Sequence, residues 1–297
     1  MSFRRGTGSR CVSNATPEPP RPPSDRTTMQ TLTEIKELLA SRGLSPRHRL
    51  GQNFLHDHNQ LRKIVEAGEV SAGDLVLEVG PGTGTLTEAL VEAGAEVIAS
   101  EIDEEMASIV ESRLGDRVRL VLGDCLDRKR HLSPAILEAL ADRPFRLVAN
   151  LPYQAATPLL MDLLIRRSNC LGQVALIQKE VADRLAAGSG GREYGPISVI
   201  TAVLGSIRRV TVVPPGCFWP QPKVTSAVVS IVPDTGHAVE NPEAFADFVG
   251  NLFRTRRKQI GTILGRDRVP EGFDPRKRPE EFPPEALLAM FQAMDSA

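Results

Sequence analysis

The stretch Leu77-Glu78-Val79-Gly80-Pro81-Gly82-Thr83-Gly84-Thr85-Leu86 decides the fold of this 297-residue chain. An apolar strand pattern runs into a glycine-rich turn, and an apolar helix pattern follows. Such a unit lets a ligand approach the backbone closely, because glycine has no side chain. Dinucleotide-binding turns share it, but their third glycine would fall on position 85, which is Thr. The turn therefore predicts a Rossmann-like α/β domain; a purely structural turn or a different nucleotide stays open at this point.

Short apolar runs alternate with helical patterns on both sides of this turn, which predicts a mostly parallel sheet. The proline-rich residues 214–223 leave no room for a crossover helix between the last two runs, so the last strand should be antiparallel. Six parallel strands and one antiparallel strand are typical of methyltransferases that use S-adenosylmethionine, whereas nicotinamide-binding sheets are parallel throughout. The seven predicted strands are Leu75–Gly80, Glu96–Glu101, Val118–Leu122, Phe145–Asn150, Gly172–Gln178, Ile207–Val213 and Ser226–Val232.

Composition divides the chain into three parts. Residues 1–29 are rich in proline and lack apolar periodicity, which predicts a disordered extension. Residues 30–235 carry the α/β pattern and form the predicted methyltransferase domain. Residues 236–297 show only helical spacing, including a helix pattern over Pro283–Met294 with proline at its start, and predict a small all-helical C-terminal domain.

Bulk properties exclude several classes of protein. The formal net charge is −1, so any nucleic-acid contact must come from local patches. No stretch approaches the roughly 18 apolar residues of a membrane span, so no membrane association is expected. The four cysteines show neither a zinc-binding pattern nor a disulfide framework. We therefore expect a cytoplasmic protein without a metal.

Acidic residues lie at or near the carboxyl ends of three consecutive predicted strands and point to the cofactor. Glu101 ends the second strand, where its carboxylate could accept the ribose hydroxyls of a nucleoside. Asp124 follows the third strand and could accept from an adenine amino group, while Glu78 could face the cationic groups of S-adenosylmethionine. Each acid alone is more often a cap or a loop charge. Together with Gly80 and Gly82 they predict an S-adenosylmethionine site.

The tetrapeptide Asn150-Leu151-Pro152-Tyr153 ends the fourth strand on the same edge of the sheet. An exocyclic adenine amine is a poor nucleophile because its lone pair is delocalised into the ring. The Asn150 side-chain oxygen and the Leu151 carbonyl could accept its two N–H groups and aim the lone pair at a methyl group, while Pro152 stiffens the turn. Tyr153 offers a ring for stacking. A strand-ending turn with Asn as cap and Tyr as packing residue is the structural alternative.

Two further aromatic residues, Phe218 and Trp219, lie in the predicted loop before the last strand, Phe218–Val224. Phe218 could cover the other face of a base stacked on Tyr153, and the prolines of the loop favour an extended backbone. Both Phe218 and Trp219 could instead belong to the core.

Taken together, these motifs resemble one family, the ribosomal RNA adenine dimethyltransferases, over about residues 30–265. Within it the chain is most similar to the bacterial branch that dimethylates two adjacent adenosines in the 3′-terminal hairpin of small-subunit (16S) rRNA. The motifs that carry the resemblance are Gly51–Leu55, Gly80–Thr87, Glu101–Asp103, Gly123–Asp124, Asn150–Tyr153, Gln178–Leu185 and Phe218–Val224.

The resemblance implies further site residues and partners. It places cofactor contacts on Asn53 and Leu55, in addition to Gly80, Glu101, Asp124 and Asn150, with S-adenosylhomocysteine as the product. It implies that the basic run Arg256-Arg257-Lys258 faces RNA, where a solvated helix face is the plain alternative. We expect a monomer that acts on 16S rRNA within the small ribosomal subunit, with a role in the biogenesis of that subunit.

Three other functions stay open from the sequence. The erythromycin-resistance branch shares this fold and chemistry but modifies large-subunit rRNA. A non-catalytic ribosome assembly or transcription factor could use the same scaffold, although an intact Asn150, Tyr153 and Glu101 argue against lost catalysis. A DNA adenine methyltransferase usually has Asp at the first position of its tetrapeptide, and this chain has Asn.

Overall fold

A computed structural model describes residues 29–234 and 239–295 of the chain. Residues 1–28 of the predicted disordered extension lie outside the described residues. So does the predicted boundary between residues 235 and 236.

Nine strands form two sheets in the described part of the chain. Seven of them match the seven predicted strands, with ends that differ by at most two residues. The strands are β1 Phe54–Leu55, β2 Leu75–Val79, β3 Glu96–Glu101, β4 Val118–Leu122, β5 Phe145–Asn150, β6 Cys170–Gln178, β7 Gly205–Val213, β8 Phe218–Trp219 and β9 Ser226–Pro233.

The large sheet has the strand order β4-β3-β2-β5-β6-β9-β7. Strands β2 to β6 pair in parallel, and β9 pairs antiparallel with both β6 and β7. The predicted sheet of six parallel strands and one antiparallel strand is thereby confirmed. Because β9 inserts between β6 and β7, β7 becomes an edge of the sheet. In the small sheet β1 pairs antiparallel with β8.

Helices cover both faces of the large sheet, as a parallel sheet requires. The α-helices in the described residues are α1 Leu32–Ser41, α2 His58–Ala67, α3 Thr85–Glu92, α4 Glu104–Leu114, α5 Pro134–Leu140, α6 Tyr153–Arg166, α7 Lys179–Leu185, α8 Pro196–Leu204, α9 Pro242–Arg254, α10 Ile260–Leu264 and α11 Pro284–Asp295.

Strand β2 shows how the sheet separates two hydrophobic cores. Its side chains alternate between the faces, since successive residues of a strand point in opposite directions. Leu77 belongs to the core that also contains residues of α5, α6 and α8. Val76 belongs to the core that contains residues of α2 and α3. Every residue of β2 is buried, so the glycine-rich turn that follows it has a rigid base.

The C-terminal helices pack on the α/β part of the molecule. Phe245 and Val249 of α9 and Leu287 of α11 are fully buried in the same hydrophobic core as the residues of α6 and α8. The Tyr194 hydroxyl also donates a hydrogen bond to the Phe282 carbonyl, at 2.9 Å. Residues 239–295 contain helices and no strand, as predicted, but they share a core with the sheet.

None of the helices in the described residues is long and apolar enough to cross a membrane.

Candidate active site

A cavity of about 470 Å³ opens where the carboxyl ends of β2, β3, β4 and β5 meet. Parallel strands bring their carboxyl ends to one edge, where ligands of open α/β sheets bind. This volume is within the range of roughly 300–1,000 Å³ that is usual for small-molecule sites. The cavity wall includes every residue predicted to contact the cofactor or the base: Asn53, Leu55, Gly80, Gly82, Glu101, Asp124, Asn150, Leu151, Pro152, Tyr153 and Phe218.

The glycine-rich turn is packed against two other parts of the cavity wall. Gly80 and Gly82 have φ angles of +72° and +57°, a left-handed conformation that favours glycine. A Cβ on Gly80 would lie 3.2 Å from the Pro152 ring, and a Cβ on Gly82 would lie 3.0 Å from the Phe54 ring. The turn after β2 is therefore in direct contact with the turn after β5.

Glu78 is a buried acid at the bottom of the cavity. It is 1% exposed, and the pKa of its carboxyl is raised to about 8, mainly by burial; the Thr87 hydroxyl lowers this pKa and the Glu101 carboxylate raises it. Its Oε2 atom is buried and has no hydrogen-bond partner among the described residues. A buried carboxyl with an unused oxygen is suited to a cationic ligand, since a nearby positive charge favours its ionised form.

Glu101 is held firmly by the backbone around it. Its Oε1 atom accepts the N–H groups of Ile102 and Asp103, both at 2.9 Å, and its Oε2 atom accepts the Gly82 N–H at 3.4 Å. Burial raises the pKa of Glu101, and these three hydrogen bonds oppose the rise. Because Oε1 already has two donors, Oε2 is the oxygen with capacity left for a ligand hydroxyl.

The wall near Asp124 combines polar and apolar groups. One carboxylate oxygen of Asp124 accepts the Leu126 N–H at 3.0 Å, which leaves the other for a ligand. Ile102, which sequence reasoning missed, lines the cavity and is 51% exposed. Cys125 also lines the cavity, but burial raises the pKa of its thiol to about 12, so it stays protonated and unreactive.

Segment 47–53 closes one side of the cavity and is anchored on Asp103. The Asp103 carboxylate accepts from Arg47 at 2.9 Å and from the Gln52 amide at 2.8 Å. Asp103 is itself 2% exposed and caps helix α4. These bonds fix the position of the Asn53 backbone next to β5. The sequence analysis gave Asp103 no role of its own, although it lies in the Glu101–Asp103 motif, two residues after the predicted ribose-binding acid.

The Asn150 side chain is oriented by that backbone. Its Nδ2 atom donates to the Asn53 carbonyl at 3.3 Å. A carbonyl only accepts, so the amide nitrogen must face Asn53 and the oxygen Oδ1 is left for another donor. Asn150 is the last residue of β5, and Tyr153, two residues beyond Leu151, is the first residue of α6.

Tyr153 and Phe218 both reach the cavity but differ in exposure. Tyr153 is half-buried, and its hydroxyl lies 3.1 Å from the Ser226 hydroxyl of β9. Phe218 is 2% exposed and pairs with Leu55 across the small sheet. The neighbouring Trp219 is not part of the cavity wall, but its ring stacks on that of Phe54, which is, with centroids 6.3 Å apart.

The predicted RNA-facing run lies away from the cavity, in the turn between α9 and α10 and not on a helix face. Arg256 donates through Nε to Glu280 at 2.7 Å, and the same carboxylate pairs with its Nη2 at 2.6 Å. Arg257 and Lys258 are exposed to solvent. Arg257 and Lys258 are therefore more available to a partner than Arg256, whose guanidinium is already paired with Glu280.

The fold and the cavity together define a methyltransferase of the S-adenosylmethionine-dependent class. The strand order, the glycine-rich turn and the acids at the carboxyl ends of successive strands all belong to that architecture. The chain belongs to the ribosomal RNA adenine dimethylase family, because the sequence model of that family matches residues 43–274. The family resemblance drawn from the sequence is thereby confirmed.

Individual relatives and structures agree with this assignment. Ribosomal RNA small subunit methyltransferase A of Deinococcus radiodurans is 39% identical over 254 residues, which covers 85% of this chain and 83% of the relative. The protein of that name from Geobacillus thermodenitrificans is 39% identical over 281 residues, covering 88% and 94%. The 23S rRNA methyltransferase ErmE superposes with a TM-score of 0.63 at 25% identity, covering 82% of this chain and all of ErmE. A dimethyladenosine transferase from Plasmodium falciparum has the same fold, with a TM-score of 0.68 at 24% identity over 82% and 98% of the two chains.

Proposed function

We propose that this protein transfers methyl groups from S-adenosylmethionine to the N6 amines of two adjacent adenosines in the 3′-terminal hairpin of 16S rRNA. The observation that carries the proposal is the orientation of Asn150, whose amide nitrogen is bound to Asn53 and whose oxygen is left to accept from an amine. The relatives named small subunit methyltransferase A support the choice of subunit. S-adenosylhomocysteine is the expected product.

The cavity suits S-adenosylmethionine by the chemistry of its donors and acceptors. The unpartnered oxygen of buried Glu78 fits a cationic group, Oε2 of Glu101 fits a ribose hydroxyl, and Asp124 fits an adenine amino group. Asn53, Leu55, Gly80 and Gly82 complete the proposed cofactor wall. When bound, S-adenosylmethionine supplies an activated methyl group.

The protein's part in the reaction is to orient the amine. In the proposed complex, Asn150 Oδ1 and the Leu151 carbonyl accept the two N–H groups of the target nitrogen, which draws its lone pair out of the adenine ring. Pro152 fixes the turn, because its ring packs against Gly80. No buried general base is required, since positioning alone can supply a large part of the rate. The released proton can leave to solvent after transfer.

Two aromatic rings are proposed to hold the flipped base. Tyr153 stacks on one face, and its position is supported by the hydroxyl contact with Ser226. Phe218, a buried residue that lines the same cavity, is proposed to cover the other face. Stacking on an aromatic side chain is worth roughly 1–3 kcal/mol per base. We extend the proposal to a cytoplasmic monomer with domains 30–235 and 236–297, in which Arg256, Arg257 and Lys258 contact the rRNA of the small subunit and assist its biogenesis.

Methylation of large-subunit rRNA is the competing reaction, and the structural similarity to the 23S rRNA methyltransferase ErmE is its support. Incubating the protein with labelled S-adenosylmethionine and unmethylated small or large subunits separates the two. We expect label in the small subunit, on two adjacent adenosines located by mass spectrometry. Label confined to the large subunit would contradict the proposal, and label on neither would favour a non-catalytic assembly factor.

A further inference from the structure

A tight basic turn, residues 127–131, stands at the rim of the cavity. It contains Asp127, Arg128, Lys129, Arg130 and His131, and the three arginine and lysine side chains are exposed. It lies in the chain between the Gly123–Asp124 and Asn150–Tyr153 motifs.

The basic turn is held rigidly at its base. The Asp127 carboxylate accepts the N–H groups of Lys129 at 2.8 Å and His131 at 2.9 Å, and the Asp127 N–H donates to the His131 carbonyl. Just beyond the turn, the Leu132 N–H donates to the buried Asp162 of α6 at 3.0 Å. The cations are therefore presented on an ordered support, which lowers the entropy cost of binding a partner.

Arg130 connects the basic turn to the proposed base site. Its Nη2 atom donates to the Gln154 carbonyl at 2.7 Å, directly after Tyr153, and both Arg130 and Gln154 line the cavity. Its φ angle is +67°, a conformation that non-glycine residues rarely adopt. Strained residues of this kind concentrate at functional sites.

The charges inside the cavity differ from those at its rim. The acids Glu78 and Glu101 are buried inside, whereas the exposed charged side chains that line the same cavity are the cations Arg130 and Arg49 and the acid Asp124. The acidic interior complements a cofactor with sulfonium and ammonium groups and no phosphate. That cofactor has a single carboxylate, which needs one cation at most, whereas the several exposed cations beside the cavity match a polyanionic strand whose base enters it.

We propose that the basic turn binds the backbone phosphates of the RNA strand next to the target adenosine, with Arg130 as its central contact. This inference rests on the proposed RNA substrate. Arg130 would act as a positioning residue: by holding the flanking phosphate it fixes where the flipped base sits between Tyr153 and Asn150.

Binding of unmethylated small subunits to the full chain tests this proposal at several salt concentrations. The variant Arg130→Gln removes the charge but keeps an amide that can still donate to the Gln154 carbonyl. We expect its dissociation constant for the subunit to rise roughly three- to tenfold at about 0.1 M salt, and the slope of log K against log salt to fall by about 0.7–0.9. Arg130→Lys should recover most of the binding.

A matched control is Arg117→Gln, which makes the same charge change at an exposed position. Arg117 lies just before the amino end of β4, whereas the cavity lies at the carboxyl ends of the strands. The control variant should leave both the affinity and the salt slope unchanged. Affinity for S-adenosylmethionine, measured by calorimetry without RNA, should be unchanged in both variants.

Two results would overturn the role of the basic turn. Equal losses of subunit binding in Arg130→Gln and Arg117→Gln would show a general charge effect, and a loss confined to S-adenosylmethionine affinity would place Arg130 in the cofactor site. These readouts need no methyl transfer. If the wild-type protein bound ribosomal subunits but methylated neither the small nor the large one, the proposed function would be wrong. The binding comparison would still test whether the basic turn contacts RNA.

Discussion

The orientation of Asn150 gives the sharpest prediction at the scale of single residues. Asn150→Ala removes the proposed acceptor for the target amine, so methyl transfer at saturating S-adenosylmethionine should fall by about 10²-fold or more. The cofactor loses one contact among several, so its dissociation constant should rise only about two- to tenfold. Single-turnover rates and calorimetry measure the two effects separately.

Asn169→Ala is a suitable control for that experiment. Asn169 also donates its side-chain amide to a backbone carbonyl, that of Arg143 at 3.1 Å, but before the amino end of β6. Its removal should leave the transfer rate unchanged. If Asn150→Ala retained wild-type turnover, the assignment of Asn150 as amine acceptor would be wrong.

Glu78 predicts a pH dependence of cofactor binding. With a pKa of about 8 in the free protein, its carboxyl is mostly protonated at pH 6, and a bound cation would favour the ionised form. Binding then releases a proton, so affinity for S-adenosylmethionine should rise with pH, by up to about tenfold per pH unit between pH 6 and 7.5. Calorimetry in buffers of different ionisation heat would detect the released proton.

The same raised pKa affects stability in the opposite direction. Between about pH 4.5 and 8 the unfolded chain has released the Glu78 proton while the folded protein retains it, so the free protein loses up to about 1.4 kcal/mol of stability per pH unit as pH rises. Glu78→Gln should flatten both pH profiles, whereas Glu138→Gln, an identical change on an exposed side chain of α5, should alter neither. If Glu78→Gln showed the same two pH profiles as the wild-type protein, Glu78 would be excluded as the titrating group.

At the scale of elements, the contact between the turns after β2 and β5 determines the geometry of the site. Gly80→Ala adds a methyl group 3.2 Å from Pro152 in a left-handed conformation, whereas Gly43→Ala adds one at φ +68° with no atom within 4 Å. Gly43→Ala should therefore cost only the backbone term of about 1–2 kcal/mol. Gly80→Ala should cost a further 1–3 kcal/mol or so from overpacking, and weaken S-adenosylmethionine binding by more than about tenfold.

Urea denaturation of both glycine variants, together with calorimetry, measures this difference. Equal destabilisation of the two variants with unchanged cofactor affinity would mean that the turns move independently.

The elements with strong periodicity could be predicted from the sequence, and those set by distant partners could not. The seven strands of the large sheet were predicted because each is an apolar run bounded by turn residues. Strands β1 and β8 are two residues long and exist only because Phe54 and Leu55 pair with a segment more than 160 residues away. For the same reason the Asn53–Asn150 hydrogen bond and the Arg130–Gln154 contact had no local signal.

At the scale of the whole molecule, the shared core predicts one cooperative unfolding transition. Leu287 of α11 is fully buried with residues of α6 and α8, so Leu287→Ala should cost about 2–5 kcal/mol. The chain has one tryptophan, Trp219, which stacks on Phe54 far from α11 in the sequence. Fluorescence of Trp219 and helical circular dichroism should shift together in this variant.

Leu288→Ala, at a partly buried neighbouring position, should cause a smaller shift in both signals. A Leu287→Ala protein in which the Trp219 transition stayed in place while part of the helical signal shifted would show that the C-terminal helices unfold as an independent domain.

The ion pair of Arg256 with Glu280 divides the basic run into cations with different expected effects. Arg257→Gln with Lys258→Gln removes two exposed charges and should lower the salt slope of small-subunit binding by about 1.4–1.8. Arg256→Gln should change that slope less, because its guanidinium already pairs with Glu280 at 2.6 Å, and should cost at most about 1 kcal/mol of stability. Filter binding across salt concentrations, with Arg117→Gln as the distant control, measures the slopes. If the double variant and the control gave the same slope as wild type, the run would be a solvated surface, and rRNA docking would depend on the other basic groups near the cavity.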